Sequence, residues 1–216
     1  MDESDARAWV ERRFDVPRET MERLDAFAAL IRQESGRQNL VSKASLDHLW
    51  LRHFADSAQL VAFAPYPEAS WVDLGSGAGF PGLVVALLHH GPVTLVEERR
   101  LRLDFLHRAA ATLGVAVEIL GAKAERLPPR PFDVISARAF APLPRLLDLG
   151  TGLSTTKTLW VLPKGRNAET ELAALDASWQ GDFRIEASVT DPDAGIIVAE
   201  RVQRRAAKRH GKGKRR

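Results

Sequence analysis

Hydrophobic residues in the first 64 positions recur at the spacing of amphipathic helices. In residues 17–35 the apolar positions follow i, i+3 and i+4 intervals; they are Met21, Leu24, Phe27, Ala28 and Ile31. This spacing places them on one face of a helix, and the same pattern predicts helices over residues 3–13 and 45–63. The segment PYPE at 65–68 interrupts it. We therefore predict a helical N-terminal extension over residues 1–64.

After residue 65 the pattern changes, and short apolar runs alternate with helical ones. The predicted strands are 70–74, 93–97, 116–120, 131–137, 157–162, 183–190 and 195–201. The predicted helices are 80–89, 99–113, 141–150 and 167–178. Such alternation favours a mostly parallel sheet covered on both faces, and the short DPDAG loop indicates an antiparallel edge hairpin. The expected fold class is α/β, with a seven-stranded domain over residues 65–201.

Charge divides the chain into an acidic body and a basic tail. Of the 31 Lys and Arg residues, nine fall after Glu200, where no acid occurs; this leaves 22 basic against 28 acidic residues and a formal charge of −6 for residues 1–200. A basic, low-complexity segment is typical of a disordered arm that contacts nucleic-acid phosphates. We predict such a tail over residues 202–216, with a solubilising tail that has no target as the alternative.

Composition limits the cellular compartment and the kinds of reaction that fit this chain. The chain has no cysteine, which excludes disulfides, thiolate-bound metal and a thiolate nucleophile. The N-terminus, MDESDARAWV, is polar and unlike a signal peptide, and apolar runs such as LVVALL are too short to span a bilayer. We therefore expect a cytoplasmic protein with no membrane partner and no metal site.

A glycine-rich stretch, WVDLGSGAGFPG at 71–82, separates the first predicted strand of the sheet from its first helix. Ligands of open α/β sheets bind at this position, and glycine allows them to approach the backbone. Gly75 and Gly77 match the dinucleotide fingerprint, but Phe80 replaces its third glycine. This argues against a nicotinamide-dependent oxidoreductase. The spacing resembles motif I of S-adenosylmethionine-dependent methyltransferases, with Gly75, Gly77 and Phe80 at the cofactor; a tight turn without a ligand is the alternative.

An acid ends the second predicted strand of the sheet. Glu97 lies 22 residues after Gly75, and an acid there can accept hydrogen bonds from ribose hydroxyls; a surface acid facing Arg99 or Arg100 is the alternative.

In methyltransferases of this fold the loop after the third strand commonly meets the adenine. Here that loop, GAKAERLP, offers Ala124 and Glu125.

The methyl acceptor can be narrowed by what the chain lacks. Methylation at pyrimidine C5 usually needs a cysteine nucleophile, and the motif for exocyclic amines is missing from FDVISARAFAPL at 132–143. A ring nitrogen such as guanine N7 needs no general base and is therefore compatible with this chain as the methyl acceptor.

Basic residues follow the fourth and fifth predicted strands. Arg138 could bind a substrate phosphate, reach the cofactor carboxylate or pair with an acid. Lys164 and Arg166 could contact an RNA backbone or lie in a solvated loop. No catalytic base is assigned, and Arg138 and Lys164 are candidates for positioning.

The chain resembles the bacterial 16S ribosomal RNA guanine-N7 methyltransferase family. The resemblance rests on six segments in matching order: NLVS (39–42), RHFADS (52–57), VDLGSGAGFPG (72–82), LVEERRLRLDFL (95–106), FDVISARAFAPL (132–143) and LPKGR (162–166). It implies a Rossmann-like S-adenosylmethionine-dependent methyltransferase fold with a helical N-terminal extension. It also implies methylation of a guanine in the 530 loop of 16S rRNA, with S-adenosylmethionine as cofactor and the rRNA or the small ribosomal subunit as partner.

The resemblance also assigns residues. It places Gly75 and Phe80 in the cofactor loop, Ala124 and Glu125 near the adenine, and Arg138 in the wall of the site. Asn39, His53 and Asp56 belong to motifs of the N-terminal part; Asn39 is a candidate RNA contact, and for His53 and Asp56 we expect helix packing.

The chain departs from the family pattern at Glu97-Glu98, where Asp and a small residue are usual, and at Leu101, where a basic residue is frequent. The longer acid predicts a displaced or water-mediated ribose contact in this chain. Two other functions stay open: a non-catalytic RNA-binding or assembly factor, and a methyltransferase acting on protein or a metabolite. A monomer is expected.

Overall fold

The computed structural model describes residues 1–205 of the 216-residue chain. The basic tail beyond residue 205 therefore lies outside the described residues.

The N-terminal part is helical, as predicted, but its third segment is not one continuous α-helix. Its elements are α1 (Glu3–Arg13), α2 (Arg18–Glu34), α3 (Lys43–Leu46), a π-helical turn (Trp50–Ala55), α4 (Asp56–Ala58) and a 3₁₀ turn (Gln59–Phe63). The Glu3 carboxylate accepts hydrogen bonds from the backbone N–H groups of Trp50, at 2.8 Å, and Leu51, at 2.9 Å. A side chain of α1 therefore satisfies donors at the start of the π turn, and the single helix predicted over residues 45–63 was wrong in type.

Seven strands form one sheet in the order β3-β2-β1-β4-β5-β7-β6. The strands are β1 (Trp71–Leu74), β2 (Val93–Glu97), β3 (Glu118–Gly121), β4 (Val134–Ser136), β5 (Leu159–Gly165), β6 (Trp179–Ala187) and β7 (Gly195–Arg204). Strands β1 to β5 are parallel, whereas β7 is antiparallel to both β5 and β6. The predicted α/β class and the antiparallel edge hairpin are confirmed.

Four helices follow the strands: α5 (Gly82–Leu88), α6 (Arg100–Leu113), α7 (Leu143–Gly150) and α8 (Ala168–Ala173). The predicted boundaries were least accurate near the chain end. Helix α8 ends at Ala173 instead of continuing to 178, and β6 begins at Trp179 instead of 183. Strand β7 continues to Arg204, where the guanidinium bonds to Asp148 and lies 5.1 Å from the ring centroid of Trp179. The predicted tail boundary at residue 202 therefore falls inside a strand.

Alternating residues of the sheet enter two hydrophobic cores. Trp71 and Leu95 pack with α5, α6 and the N-terminal helices, whereas Val72 and Val96 pack with α7 on the other face. This alternation follows from the strand period of two. Because the N-terminal helices share a core with α5 and α6, they form a fixed wall beside the carboxyl ends of the strands.

Candidate active site at the strand ends

A cavity of about 1150 Å³ lies at the carboxyl ends of the parallel strands. Eight of the ten candidate site residues line it; these are Gly75, Gly77, Phe80, Glu97, Ala124, Glu125, Arg138 and Lys164. The N-terminal part contributes Arg52, His53 and Asp56 to the same wall. The loops after five strands and one helical segment thus converge on a single site, which is where open α/β sheets bind ligands.

The glycine loop after β1 requires left-handed backbone at three positions. Gly75, Gly77 and Gly79 have φ values of 72°, 54° and 90°, a region that other residues occupy at a cost. A methyl group at Gly75 would collide with the ring of Phe140, and one at Gly77 would lie 2.7 Å from Nη1 of Arg102. Both glycines line the cavity, and the space beside each Cα is taken by a side chain of the cavity wall.

Gly79 serves packing instead of ligand approach. A methyl group there would lie 2.6 Å from Leu83 and 3.0 Å from Phe27. Gly79 therefore allows α2 to approach the loop, and it lies outside the cavity lining.

Glu97 ends β2 with its carboxylate held by the backbone. Oε1 accepts from the N–H groups of Glu98 and Arg99, both at 2.9 Å, and Oε2 accepts from the N–H of Gly77 at 3.0 Å. A carboxylate offers about four lone-pair directions, so Oε2 retains acceptor capacity toward the cavity. Glu98 is exposed and lies 3.8 Å from Lys123. The longer Glu97 side chain is thus anchored at the position expected for a ribose acceptor.

Asp73 fixes the two ends of the glycine loop. It is fully buried, and its carboxylate accepts from Ser136 Oγ at 2.8 Å and from the Gly82 N–H at 3.2 Å. Burial raises the pKa of Asp73 to about 6, since the charged form is desolvated, although the hydrogen bonds oppose the shift. The carboxylate ties β1 to β4 and to the start of α5.

The loop after β3 forms one side of the cavity. Ala124 is buried in a 3₁₀ turn (Ala124–Arg126), and Glu125 is exposed with its carboxylate 3.6 Å from Arg145. The small buried residue leaves a flat backbone surface at this side, and the acid lies at the rim.

Arg138, after β4, pairs with an acid of the N-terminal part. Its Nη1 lies 3.1 Å from Asp56 Oδ2, its Nη2 lies 2.9 Å from His53 Nδ1, and its guanidinium carbon is 5.3 Å from the Phe80 ring centroid. His53 also stacks on Phe80, with centroids 5.0 Å apart. His53 and Asp56 therefore do more than pack: they hold the arginine in the cavity wall.

The surroundings of His53 keep it neutral. Burial lowers its pKa to about 3, and the charges of Arg138 and Arg52 contribute to the shift. A guanidinium has donors only, so Nδ1 is the acceptor of the Arg138 bond.

The remaining candidates lie in different settings. Lys164 is internal: its side chain is 6% exposed, and its ammonium is 2.8 Å from both Glu171 Oε2 and the Ala141 carbonyl. This geometry assigns Lys164 to the interior of the site instead of an RNA surface. Arg166 is exposed and paired with Asp193 at 3.2 Å. Asn39 is exposed outside the cavity lining, and its carbonyl accepts from Arg102.

Sequence reasoning missed two features of the cavity. Phe140 exposes its ring there, and Arg52, Arg99 and Arg102 line the cavity without an ion pair among residues 1–205. An aromatic residue two positions after Arg138, in the same strand-end loop, was a signal that could have been used. Arg99 and Arg102 are neighbours at the start of α6, but Arg52 lies 47 residues before Arg99, so the sequence did not show that the three share one cavity.

Two negative observations apply to residues 1–205. No helix there is long and apolar enough to cross a membrane. No group of three or more His, Asp or Glu side chains in this range is arranged to hold a metal ion.

Comparisons with known proteins agree with this architecture. Residues 20–195 match the family model described as rRNA small subunit methyltransferase G. The chain is 52% identical over 216 residues to the ribosomal RNA small subunit methyltransferase G of Rhizorhabdus wittichii, covering 98% of this chain and 99% of the relative. It is 48% identical over 210 residues to the protein of that name from Zymomonas mobilis, covering 94% and 95%.

Solved structures with low sequence identity share the fold. A tRNA methyltransferase of Bacillus subtilis matches with a TM-score of 0.52 and 16% identity, covering 69% of this chain and 67% of that one. A ribosomal protein methylase of Lactobacillus delbrueckii matches with a TM-score of 0.50 and 17% identity, covering 70% and 78%. The sheet is thus that of S-adenosylmethionine-dependent methyltransferases, and the chain belongs to the rRNA small subunit methyltransferase G family.

Proposed function

We propose that the protein methylates N7 of a guanine in the 530 loop of 16S rRNA, with S-adenosylmethionine bound in the cavity at the strand ends. Family membership supports an rRNA methyltransferase of the small subunit. The guanine, the N7 atom and the loop are the finer part of the proposal.

One observation carries the choice of acceptor: every carboxylate and the imidazole in the described cavity lining already contact a cation or a hydrogen-bond donor. Each acid in its lining already has a partner; the acids are Asp56, Glu97, Glu98, Glu125, Glu171 and Asp191. His53 accepts from Arg138, and its pKa is lowered to about 3. An exocyclic amine or a hydroxyl loses a proton on methylation, whereas N7 of guanine has an available lone pair. A site without a base therefore suits N7, and catalysis rests on alignment.

The residues at the glycine loop fit the cofactor. Gly75 and Gly77 line the cavity without side chains, Glu97 keeps an acceptor for the ribose hydroxyls, and Ala124 presents a small buried surface for the adenine. When bound, S-adenosylmethionine supplies a methyl group on a positively charged sulfur. Glu97 would hold the ribose, and the glycine backbone would lie along the methionine part.

Cations around the cavity suit an RNA backbone. Arg52, Arg99 and Arg102 form no ion pair within the described chain, so their charges are available to phosphates. Asn39, Arg166 and the basic tail extend the candidate RNA surface. Arg138 is held by Asp56 and His53 and would position the acceptor or the cofactor carboxylate.

The test is methyl transfer to small ribosomal subunits from cells that lack the modification. The protein is incubated with labelled S-adenosylmethionine and either the subunits or naked 16S rRNA, and the labelled base is mapped. We expect 7-methylguanine in the 530 loop. Label at another base, or in protein, would contradict the proposal.

Gly75→Val is the matched inactive control for this assay. Its side chain would collide with Phe140 and fill the backbone cradle, so we expect loss of cofactor binding by calorimetry. Unchanged affinity would contradict the assignment of the loop.

A further inference from the structure

Phe140 presents the open aromatic surface of the cavity. It is 37% exposed, whereas Phe80, which also lines the cavity, is 4% exposed. The Phe80 ring is covered by Phe27, by His53 and by the guanidinium of Arg138. Phe140 is thus the phenylalanine of the described lining that has room to stack with a ligand.

The loop that carries Phe140 is anchored on both sides of this residue. Arg138 is held by Asp56 and His53. On the other side, the Ala141 carbonyl accepts from Lys164 at 2.8 Å, and Glu171 accepts from the Leu143 N–H at 2.8 Å. The Lys164–Glu171 pair, in which the lysine side chain is the buried partner, therefore fixes the loop between β4 and α7.

The residue before Phe140 has a strained backbone. Ala139 has a φ of 51°, which is unfavourable for a residue with a Cβ. Such strain persists where the surrounding structure determines it, and it is concentrated at functional sites. Here the strained turn directs the Phe140 ring onto Gly75, where a methyl group would collide with it.

We propose that Phe140 is the stacking platform for the acceptor guanine and for the cation formed on it. The inference rests on the proposed function. Guanine N7 uses its lone pair to form the new N–C bond while the sulfur–methyl bond breaks, and that electron pair stays on sulfur. Positive charge thereby passes to the purine without proton transfer, and an aromatic face attracts a cation. Phe140 would hold the base beside Gly75 and favour the charged product.

Loss of the Phe140 ring should affect binding of neutral guanine and of the cationic, N7-methylated base to different extents. Base–aromatic stacking supports roughly a tenfold or larger effect on affinity. The cationic base should gain more from the ring than neutral guanine does, because the ring quadrupole adds to stacking. Loss of the ring should therefore reduce kcat as well as base affinity.

The test compares the wild-type chain with Phe140→Leu, Phe140→Tyr and Ile185→Ala. Ile185 is also 37% exposed but lies outside the cavity lining, so its variant controls for loss of exposed apolar surface. Binding of 7-methylguanosine monophosphate and of guanosine monophosphate is measured by calorimetry, together with cofactor affinity and steady-state kinetics on small subunits.

We expect Phe140→Leu to weaken binding of the 7-methyl nucleotide by about tenfold and to lower kcat, with cofactor affinity retained. Phe140→Tyr and Ile185→Ala should resemble the wild type. Wild-type nucleotide affinity and kcat in Phe140→Leu would overturn the inference, as would a loss confined to cofactor affinity. A wild-type enzyme that forms no 7-methylguanine would overturn the proposed function and this inference together, so the two failures are distinguishable.

Discussion

Nη2 of Arg138 and Nδ1 of His53 lie 2.9 Å apart, and the imidazole accepts this hydrogen bond in its neutral form. Nε2 then carries the proton, and it is buried without a hydrogen-bond partner among residues 1–205. Protonation of Nδ1 would turn an attractive contact into one between two cations. His53 therefore contributes to holding the cavity arginine only while it is uncharged, whereas Asp56 pairs with the arginine through a carboxylate.

The first prediction concerns stability at acid pH. The unfolded chain protonates His53 near its ordinary pKa of 6.5, whereas the pKa in the folded state is lowered to about 3. This contribution to stability is therefore complete above pH 6.5 and is lost as the pH falls toward 3, by about 1.4 kcal/mol per pH unit. His53→Asn keeps an acceptor for Arg138 and should lose this dependence.

Urea unfolding of the wild type and of His53→Asn between pH 4 and 7 measures how the free energy of unfolding of each protein depends on pH. Asp73 has a pKa raised to about 6 and acts in the opposite sense, since its contribution falls as the pH rises. Both proteins carry Asp73, so its effect cancels in the comparison. Parallel stability curves would show that His53 does not titrate in this way.

The second prediction separates packing from backbone strain at glycine. Gly79→Ala and Gly114→Ala both place a Cβ on left-handed backbone, at φ values of 90° and 59°. At Gly114 no atom lies within 4 Å of the added carbon, whereas at Gly79 Leu83 and Phe27 are in collision range. We expect a loss of about 1 kcal/mol at Gly114 and about 2–4 kcal/mol at Gly79, measured by urea unfolding. Equal losses would mean that α2 does not pack tightly on the loop.

A third prediction tests the acid at the end of β2. Glu97→Gln replaces one acceptor oxygen by an amide N–H₂ group, which must face a backbone N–H that the carboxylate now satisfies. We expect affinity for S-adenosylmethionine, measured by calorimetry, to fall about tenfold or more, consistent with the loss of charged hydrogen bonds. Glu98→Gln is the matched control, because Glu98 is exposed and has only a 3.8 Å contact with Lys123. Similar affinities in the two variants would exclude Glu97 as the ribose acceptor.

The fourth prediction concerns the basic tail and depends on where it is cut. Residues 202–204 belong to β7, and Arg204 bonds to Asp148, so deletion should begin at residue 206. Residues 206–216 contain six Lys and Arg residues. If they contact phosphates, deletion should weaken RNA binding and reduce the slope of log affinity against log salt by up to about 4–5. Cofactor affinity should be unchanged, and an unaltered slope would favour a solubilising tail.

Features that depend on local sequence were predicted well. The seven strands follow from apolar runs with turn residues between them, and Glu97 was found because a strand end is a local property of the chain. The left-handed turn at Gly75 and Gly77 is likewise encoded by residue type. These features need no knowledge of distant contacts.

Features that depend on distant partners were not predicted. The π turn at Trp50–Ala55 begins with donors satisfied by Glu3, 47 residues earlier. Asp56, the ionic partner of Arg138, lies 82 residues earlier in the chain. The sequence alone left three partners open for Arg138: a substrate phosphate, the cofactor carboxylate and an acid of the protein. Lys164 is buried because Glu171 and the Ala141 carbonyl surround its ammonium, although in sequence it resembles any exposed basic loop residue.

The contact of Phe27 with the glycine loop has a consequence for synthesis of the chain. Phe27 stacks on Phe80 with centroids 4.9 Å apart and approaches Gly79, so α2 gains its partner only after the loop and α6 have been translated. Until then its apolar face is exposed on a nascent chain, where such surfaces invite aggregation. Variants that delay folding of the sheet should therefore reduce soluble yield before they reduce the stability of the finished protein.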